Sequence, residues 1–278
     1  GHAGIGIADR NTVAGVVRAY AALLDIGERF AGFWKVPKHG RKPPKEGEED
    51  EVTRLLREWA ETAADAGLGP ELPPFTLVVG ARLVFADGTP DIVAHAQDRD
   101  GWGRLCRLLT AGNLRGAKGE CILKLDDLLA DARGLSLILM PPRAMPAKKL
   151  ANLGGVLAQL DEAAPGSLWL GASMARKGDD RRRLAALKAL AAKTRVPLMA
   201  TNDVLYHHPA ERDLQDVLTC IREGVTIETA GRLLDANAER HLKPPEEMAR
   251  LFRDAPEAVE ETRSFLARID FSLGDLKY

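Results

Sequence analysis

The sequence predicts an α/β fold organised as a parallel sheet or a barrel. Two observations carry this reading. At least five short apolar runs are each followed by a stretch of helical periodicity, the alternation expected of a sheet flanked by helices. The chain has 278 residues, 45% apolar and 28% charged, enough to bury a sizeable core in one large or two smaller domains.

The elements follow in order. Ala3–Ala8 reads as a short buried strand ending in Asp9-Arg10-Asn11-Thr12, where Asn11 or Thr12 can cap a helix over Val13–Leu24. Residues 31–74 then stand apart as an insertion. They include KVPKHGRKPPKEGEEDE, too polar and Pro-rich to order itself by burial. Within them Glu51–Ala66 reads as a helix with Val52, Leu55, Leu56 and Trp59 on one face. The insertion is either a docking arm or, the preferred reading, an elaboration of its own domain.

Leu77–Val79 and Arg82–Ala86 are rich in strand formers and end in the turn Asp87-Gly88-Thr89-Pro90. Asp91–His95 is another strand. Asp98 or Asp100 opens a helix with Trp102, Leu105, Cys106, Leu108 and Leu109 at helical spacing. Leu135–Met140 is a strand closed by Pro141-Pro142, and Lys148–Leu160 a helix. Leu168–Leu170 is a strand, Asp179–Lys193 a basic-faced helix, Leu198–Ala200 a strand and Glu211–Arg222 a helix. The C-terminal part is helical, over Pro245–Arg253 and Pro256–Ile269, each with proline in its first turn. No internal repeat is evident.

Charge excludes one function class. With 39 basic and 40 acidic residues, the chain cannot hold nucleic acid by bulk charge, although a local basic face stays open. Arg181-Arg182-Arg183 with Lys188 and Lys193, and Arg104, Arg107, Arg115 and Lys118, are such groups; solvated helix faces are their plainer meaning. Cys106, Cys121 and Cys220 have neither zinc-ligand nor redox spacing, which points to a reducing cytoplasm, and Cys106 and Cys220 read as core. No apolar stretch has the length of a membrane span. The glycine pairs lack phosphate-loop spacing, and no nucleophile–base grouping is present. The opening Gly-His-Ala-Gly, entering a strand without methionine, reads as that of a fragment.

The densest chemistry lies at Val196–Arg222. The strand over Leu198–Ala200 ends in Thr201-Asn202-Asp203, with His207 and His208 soon after. Strand carboxyl ends are where α/β folds place chemistry, so this is a candidate corner of a metal or phosphate site.

Five stretches carry a resemblance: GHAGIGIADRNTVAGVVRAY (1–20), LVVGARLVFADGTPDIVAHAQDRDGWGRLCRLLTAGN (77–113), KGECILKLDDLL (118–129), PLMATNDVLYHHPAERDLQDVLTCIREGVTIETAG (197–231) and ANAERHLKPPEEMARLFRDAPEAVEET (236–262). In this order they resemble the N-terminal PHP (polymerase and histidinol phosphatase) region of bacterial C-family DNA polymerases, the polymerase III alpha-like group. The ADRN and GARL variants resemble its error-prone branch. The resemblance implies a PHP-type distorted seven-stranded β/α barrel with its first strand missing. The barrel would span 1–30 and 75–222, and 223–278 would be a helical segment leading toward an absent polymerase palm. It implies a parent polymerase acting in damage-induced mutagenesis and translesion synthesis. That parent would use Mg2+ and DNA, and would meet a sliding clamp and other mutagenesis proteins. The fragment itself reads as a non-catalytic structural or interaction module. The alternative is an active metal-dependent phosphoesterase or proofreading 3′–5′ exonuclease holding zinc or manganese.

The ligand pattern that the family implies is degraded here. Asp-His at the end of the second family strand reads Asp9-Arg10. A glutamate expected after the next strand is replaced, Gly80 being followed by Ala81. Asp-x-His reads Asp203-Val204-Leu205. Two carboxylates remain, so no metal is expected. His95, His207 and His208 are candidate substitute ligands, each more plainly a surface or capping histidine. Arg10 is expected to pair with Asp9, Asp203 or both and fill the old site.

Overall fold

The apolar runs pair into one six-stranded sheet in chain order. Its strands are β1 (Gly4–Arg10), β2 (Thr76–Leu83), β3 (Ile92–Ala96), β4 (Leu135–Leu139), β5 (Leu168–Ala172) and β6 (Leu198–Ala200). The computed structural model describes residues 2–30, 54 and 75–276. The expected insertion over 31–74, with its Glu51–Ala66 helix, therefore lies outside the described residues apart from Arg54.

The sheet is mixed, which corrects the expectation of a parallel one. β1–β2, β4–β5 and β5–β6 are parallel, but β3 runs antiparallel to both β2 and β4. The connection Val84–Asp91 explains this: a parallel return needs a crossover of roughly a dozen residues or more. The expected Leu77–Val79 run and the start of the Arg82–Ala86 run form a single strand that ends at Leu83, and Phe85 beyond it makes an isolated bridge to Leu123. The sheet curls as a partial barrel. Among the described residues β1 and β6 are its unpaired edges.

Two-residue alternation gives the sheet two different faces. On one face Ala81, Leu83, Ile92, Ala94, Leu137, Leu139, Leu168, Leu170 and Leu198 are buried in the main core. They pack under α2 (Arg99–Arg115), α3 (Leu125–Leu129), α4 (Gly154–Ala163) and α5 (Asp180–Thr194). Asp98, rather than Asp100, caps α2, accepting from the Gly101 amide at 2.7 Å. Ile7 and Val79 meet Val16 of α1 (Val16–Phe30) in a smaller cluster with Phe271. The helix starts three residues later than the periodicity predicts. The chain after β1 is first used by a turn in which Thr12 Oγ1 accepts from the Ala14 amide at 3.2 Å.

The other face carries Val78, Ile138, Met140, Trp169 and Met199, and α9 (Pro256–Leu266) lies across it through Phe265, with Ile269 just beyond. Trp169 fixes the helix: its indole donates to Glu261 at 3.0 Å, and the Arg268 guanidinium stands 5.6 Å from its ring. Gly80 makes room for His95 here, because a Cβ would fall 2.5 Å from the imidazole.

After β6 come α6 (Arg212–Glu223), α7 (Ile227–Ala230) and α8 (Pro245–Leu251). Cys220 is buried as expected, whereas Cys106 is only half-buried. No helix of the described residues is long and apolar enough to cross a membrane.

Candidate functional site

The end of the sheet where β1, β2, β4 and β6 finish gathers the charged residues. Arg82 and Arg10 are register partners on β2 and β1, on the face opposite the Ala81 core. Asp91 enters β3 at this end, Arg143 follows β4, and Asp203 follows β6.

Asp203 is the hub. One carboxylate oxygen accepts from Arg82 Nη1 at 2.6 Å. The other accepts from Arg240 Nη2 at 2.8 Å and Arg143 Nε at 3.2 Å. Arg240 also grips the Asp203 carbonyl through Nε at 2.8 Å, and Arg82 Nε reaches Asp91 at 2.7 Å. The Asp203 side chain is 9% exposed. Burial alone would raise its pKa, but Arg240, Arg82 and Arg143 together hold it below the ordinary carboxylate value. Its backbone sits at φ +49°, a left-handed conformation that Asp tolerates better than most residues.

A second tier supports this hub. Buried Lys243 donates to Asn202 Oδ1 at 3.3 Å and pairs with Glu239 at 3.3 Å. Asn202 in turn donates to the His241 carbonyl. Arg183 of α5 holds the loop that carries Arg143, donating to the carbonyls of Met145 (2.5 Å), Pro142 (2.9 Å) and Pro141 (3.1 Å). Arg183 is thus buried beneath the loop, not part of the solvated or DNA-facing row that its sequence neighbours suggest. Replacing it with methionine strips the guanidinium from all three carbonyls, of which Pro142 keeps the Met145 amide at 2.9 Å. The expected cost is about 2–4 kcal/mol, read as a lower urea midpoint with unchanged slope.

The other expected site residues are not brought together. Asp9 turns to α1, accepting from the Gly15 amide at 2.9 Å. Arg10 is exposed and makes no ion pair with Asp9 or Asp203. The expected Arg10–Asp203 pair is therefore replaced by three other arginines. Asn11, an expected cap, instead clips two chain segments: Oδ1 accepts from the Val84 amide at 2.7 Å and Nδ2 donates to the Val84 carbonyl at 3.1 Å. Ala81 is in the core, because period two turns it away from the face that bears Arg82. Leu205 is partly exposed and donates its amide to the Arg240 carbonyl at 2.9 Å. His95 is buried at mid-sheet against Phe265, with ring centroids 5.5 Å apart, and not at the mouth. His207 and His208 are exposed, and His208 Nδ1 accepts from the Ala210 amide at 3.2 Å as a cap.

Sequence reasoning missed Arg82, Arg143, Arg240 and Lys243. For Arg82 a signal exists: it shares strand parity with Gly80 and follows Ala81 in GARL. Arg143 and Arg240 lie in irregular segments without local pattern.

The donor set does not fit a divalent cation. A metal at Asp203 would share one carboxylate with three guanidiniums of its own sign. Among the described residues no group of three or more His, Cys, Asp or Glu could hold an ion. The arrangement instead ties β2, the loop after β4, the loop after β6 and the segment around Arg240 into one charged network.

No family model matches the chain. Over 274 residues it is 50% identical to the error-prone DNA polymerase of Rhodopseudomonas palustris strain BisB5, covering 99% of this chain and 20% of that protein. The chain is similar to error-prone DNA polymerases along nearly its whole length. The protein of that name from a Bradyrhizobium species is 48% identical over 280 residues (99% of this chain, 20% of the relative). That of Brucella abortus is 45% identical over 276 residues (99% and 21%). The chain therefore spans about a fifth of the length of the curated relatives it matches.

Proposed function

We propose that this chain is the PHP region of a C-family, error-prone DNA polymerase, in which the former metal corner has become a structural lock. The similarity to proteins named error-prone DNA polymerases supports the parent activity. The single observation supporting the lock is Asp203 held by Arg82, Arg143 and Arg240. In this reading the parent synthesises DNA with Mg2+ during damage-induced mutagenesis and translesion synthesis. It meets the sliding clamp and other mutagenesis proteins through its remaining length, in the cytoplasm. The fragment contributes no chemistry of its own; it holds the parent's architecture.

Two measurements test this. Primer extension by the longer polypeptide is expected and checks the parent activity. Elemental analysis of the purified chain after dialysis against zinc or manganese checks the lock, with well under one metal per chain expected. Stoichiometric metal that is lost on Asp9→Ala would overturn the lock and support the phosphoesterase or 3′–5′ exonuclease reading.

A further inference from the structure

Helix α6 is built the wrong way round for a helix facing water. Its apolar residues Leu214, Val217, Leu218 and Ile221 fall at i, i+3, i+4 and i+7 and form one stripe. They are 57%, 44%, 50% and 72% exposed. The opposite side, turned to the body of the chain, is mostly polar. Thr219 is buried with its hydroxyl donating to the Gln215 carbonyl at 2.9 Å. Arg212 donates to the Asp235 carbonyl at 2.8 Å and stands 3.5 Å from Asp216. Ile227 and Leu233, soon after the helix, are also about half exposed. Scattered apolar side chains on a surface are ordinary, but a continuous helical stripe marks an interface.

We infer that this stripe is the seat of the remaining polymerase chain, which lays an apolar helix or sheet face against α6. The inference rests on the parent reading above. The relatives continue for about four-fifths of their length beyond what this chain covers. A segment tethered to the same polypeptide acts at high effective concentration, so it competes favourably with a second copy arriving from solution. The polar side of α6 is already turned to the body of the chain, where Thr219 and Cys220 are buried and Arg212 holds the Asp235 carbonyl, which leaves the apolar stripe as the side to be covered. This interface joins the lock to the catalytic part: α6 begins soon after Asp203, and Arg212 shares Asp235 with Arg240.

The test is maleimide labelling of Ile221→Cys, read site by site by mass spectrometry. It is done in the 278-residue chain and in the longer polypeptide that contains it. Leu114→Cys, on α2 and 83% exposed in the wild type, is the control. The expected result is fast labelling of Ile221→Cys in the short chain and labelling slower by roughly an order of magnitude or more in the long one, with Leu114→Cys less affected. Equal labelling of Ile221→Cys in both would overturn the inference. Protection in the short chain that vanishes on dilution would overturn it in favour of a second copy. Concentration-independent protection there, relieved by deleting residues 31–74, would give the face to the chain's own insertion instead. An open reading frame that stops at Tyr278 would defeat the parent reading itself, a failure separate from any labelling outcome.

Discussion

Replacing Asp203 with alanine destabilises the chain by about 3–5 kcal/mol, the range for breaking a buried ion pair from one side. The wild-type carboxylate takes three guanidiniums within 3.2 Å. Arg82 keeps Asp91 in the variant, and Arg240 keeps Asp235. Arg143 has no second carboxylate among the described ion pairs, so its charge is left uncompensated. Asp203→Asn keeps much of the shape and one acceptor but loses the charge, and is expected to cost less than the alanine. Adding Arg143→Met to Asp203→Ala is expected to recover part of the loss, a non-additivity that a double-mutant cycle in urea measures. Equal stability of Asp203→Ala and wild type would show that the hub contributes nothing. The pH dependence has a definite sign. The folded-state pKa of Asp203 is depressed below the ordinary aspartate value of 3.8. Its contribution is therefore fully present above 3.8 and is lost as pH falls through the lower folded value. Wild type loses stability in that acid window more steeply than Asp203→Asn does.

Much of this architecture is legible in the sequence, and the exceptions have physical causes. Five of the six strands coincide closely with apolar runs; for β3, β4, β5 and β6 the reason is that a strand buried on both faces is a continuous apolar segment, whereas β1 is only part-buried. The direction of β3 is not written in its residues; it follows from the short link after β2. Asp203 is legible because it ends a strand in a polar cluster. Its partners lie 37, 60 and 121 residues away in the chain, and no periodicity connects residues so distant. The expected Arg10 partnership rests on strand ends being neighbours, whereas the geometry of the mouth lets Arg82 reach across it. Asp9 and Ala81 look like site positions in a motif, but period two turns both away from Arg82 and Arg10. α6 was legible as a helix, yet its periodicity alone suggests an apolar face turned to the core. Only the folded chain reveals that the stripe faces outward.

His95 carries the second large effect, in a separate pH window. It lies on β3 between Gly80 and Ser136, 4% exposed, under Phe265 of α9. The Ser136 hydroxyl on the neighbouring strand accepts from Gln97 at 2.9 Å. His95 Nδ1 has no hydrogen-bond partner. Burial pushes the imidazole down to about 4 from 6.5, with the Val79 backbone acting in the opposite direction. The folded chain thus holds His95 neutral where the unfolded chain protonates it. Stability from this group is complete above 6.5 and falls as pH drops toward about 4. At about 1.4 kcal/mol per pKa unit, the loss across that window is on the order of 3 kcal/mol. His95→Phe removes the titration and the orphaned nitrogen while keeping a ring against Phe265. Replacing an unsatisfied buried polar group by an apolar one of similar shape is close to neutral or stabilising. The variant is therefore expected to match wild type near neutrality and to exceed it by a widening margin on acidification to about 4. Urea unfolding followed by circular dichroism across this range reads the margin. Parallel curves for the two proteins would show that the imidazole is solvated or charged in the folded chain, and that α9 does not seal this face of the sheet.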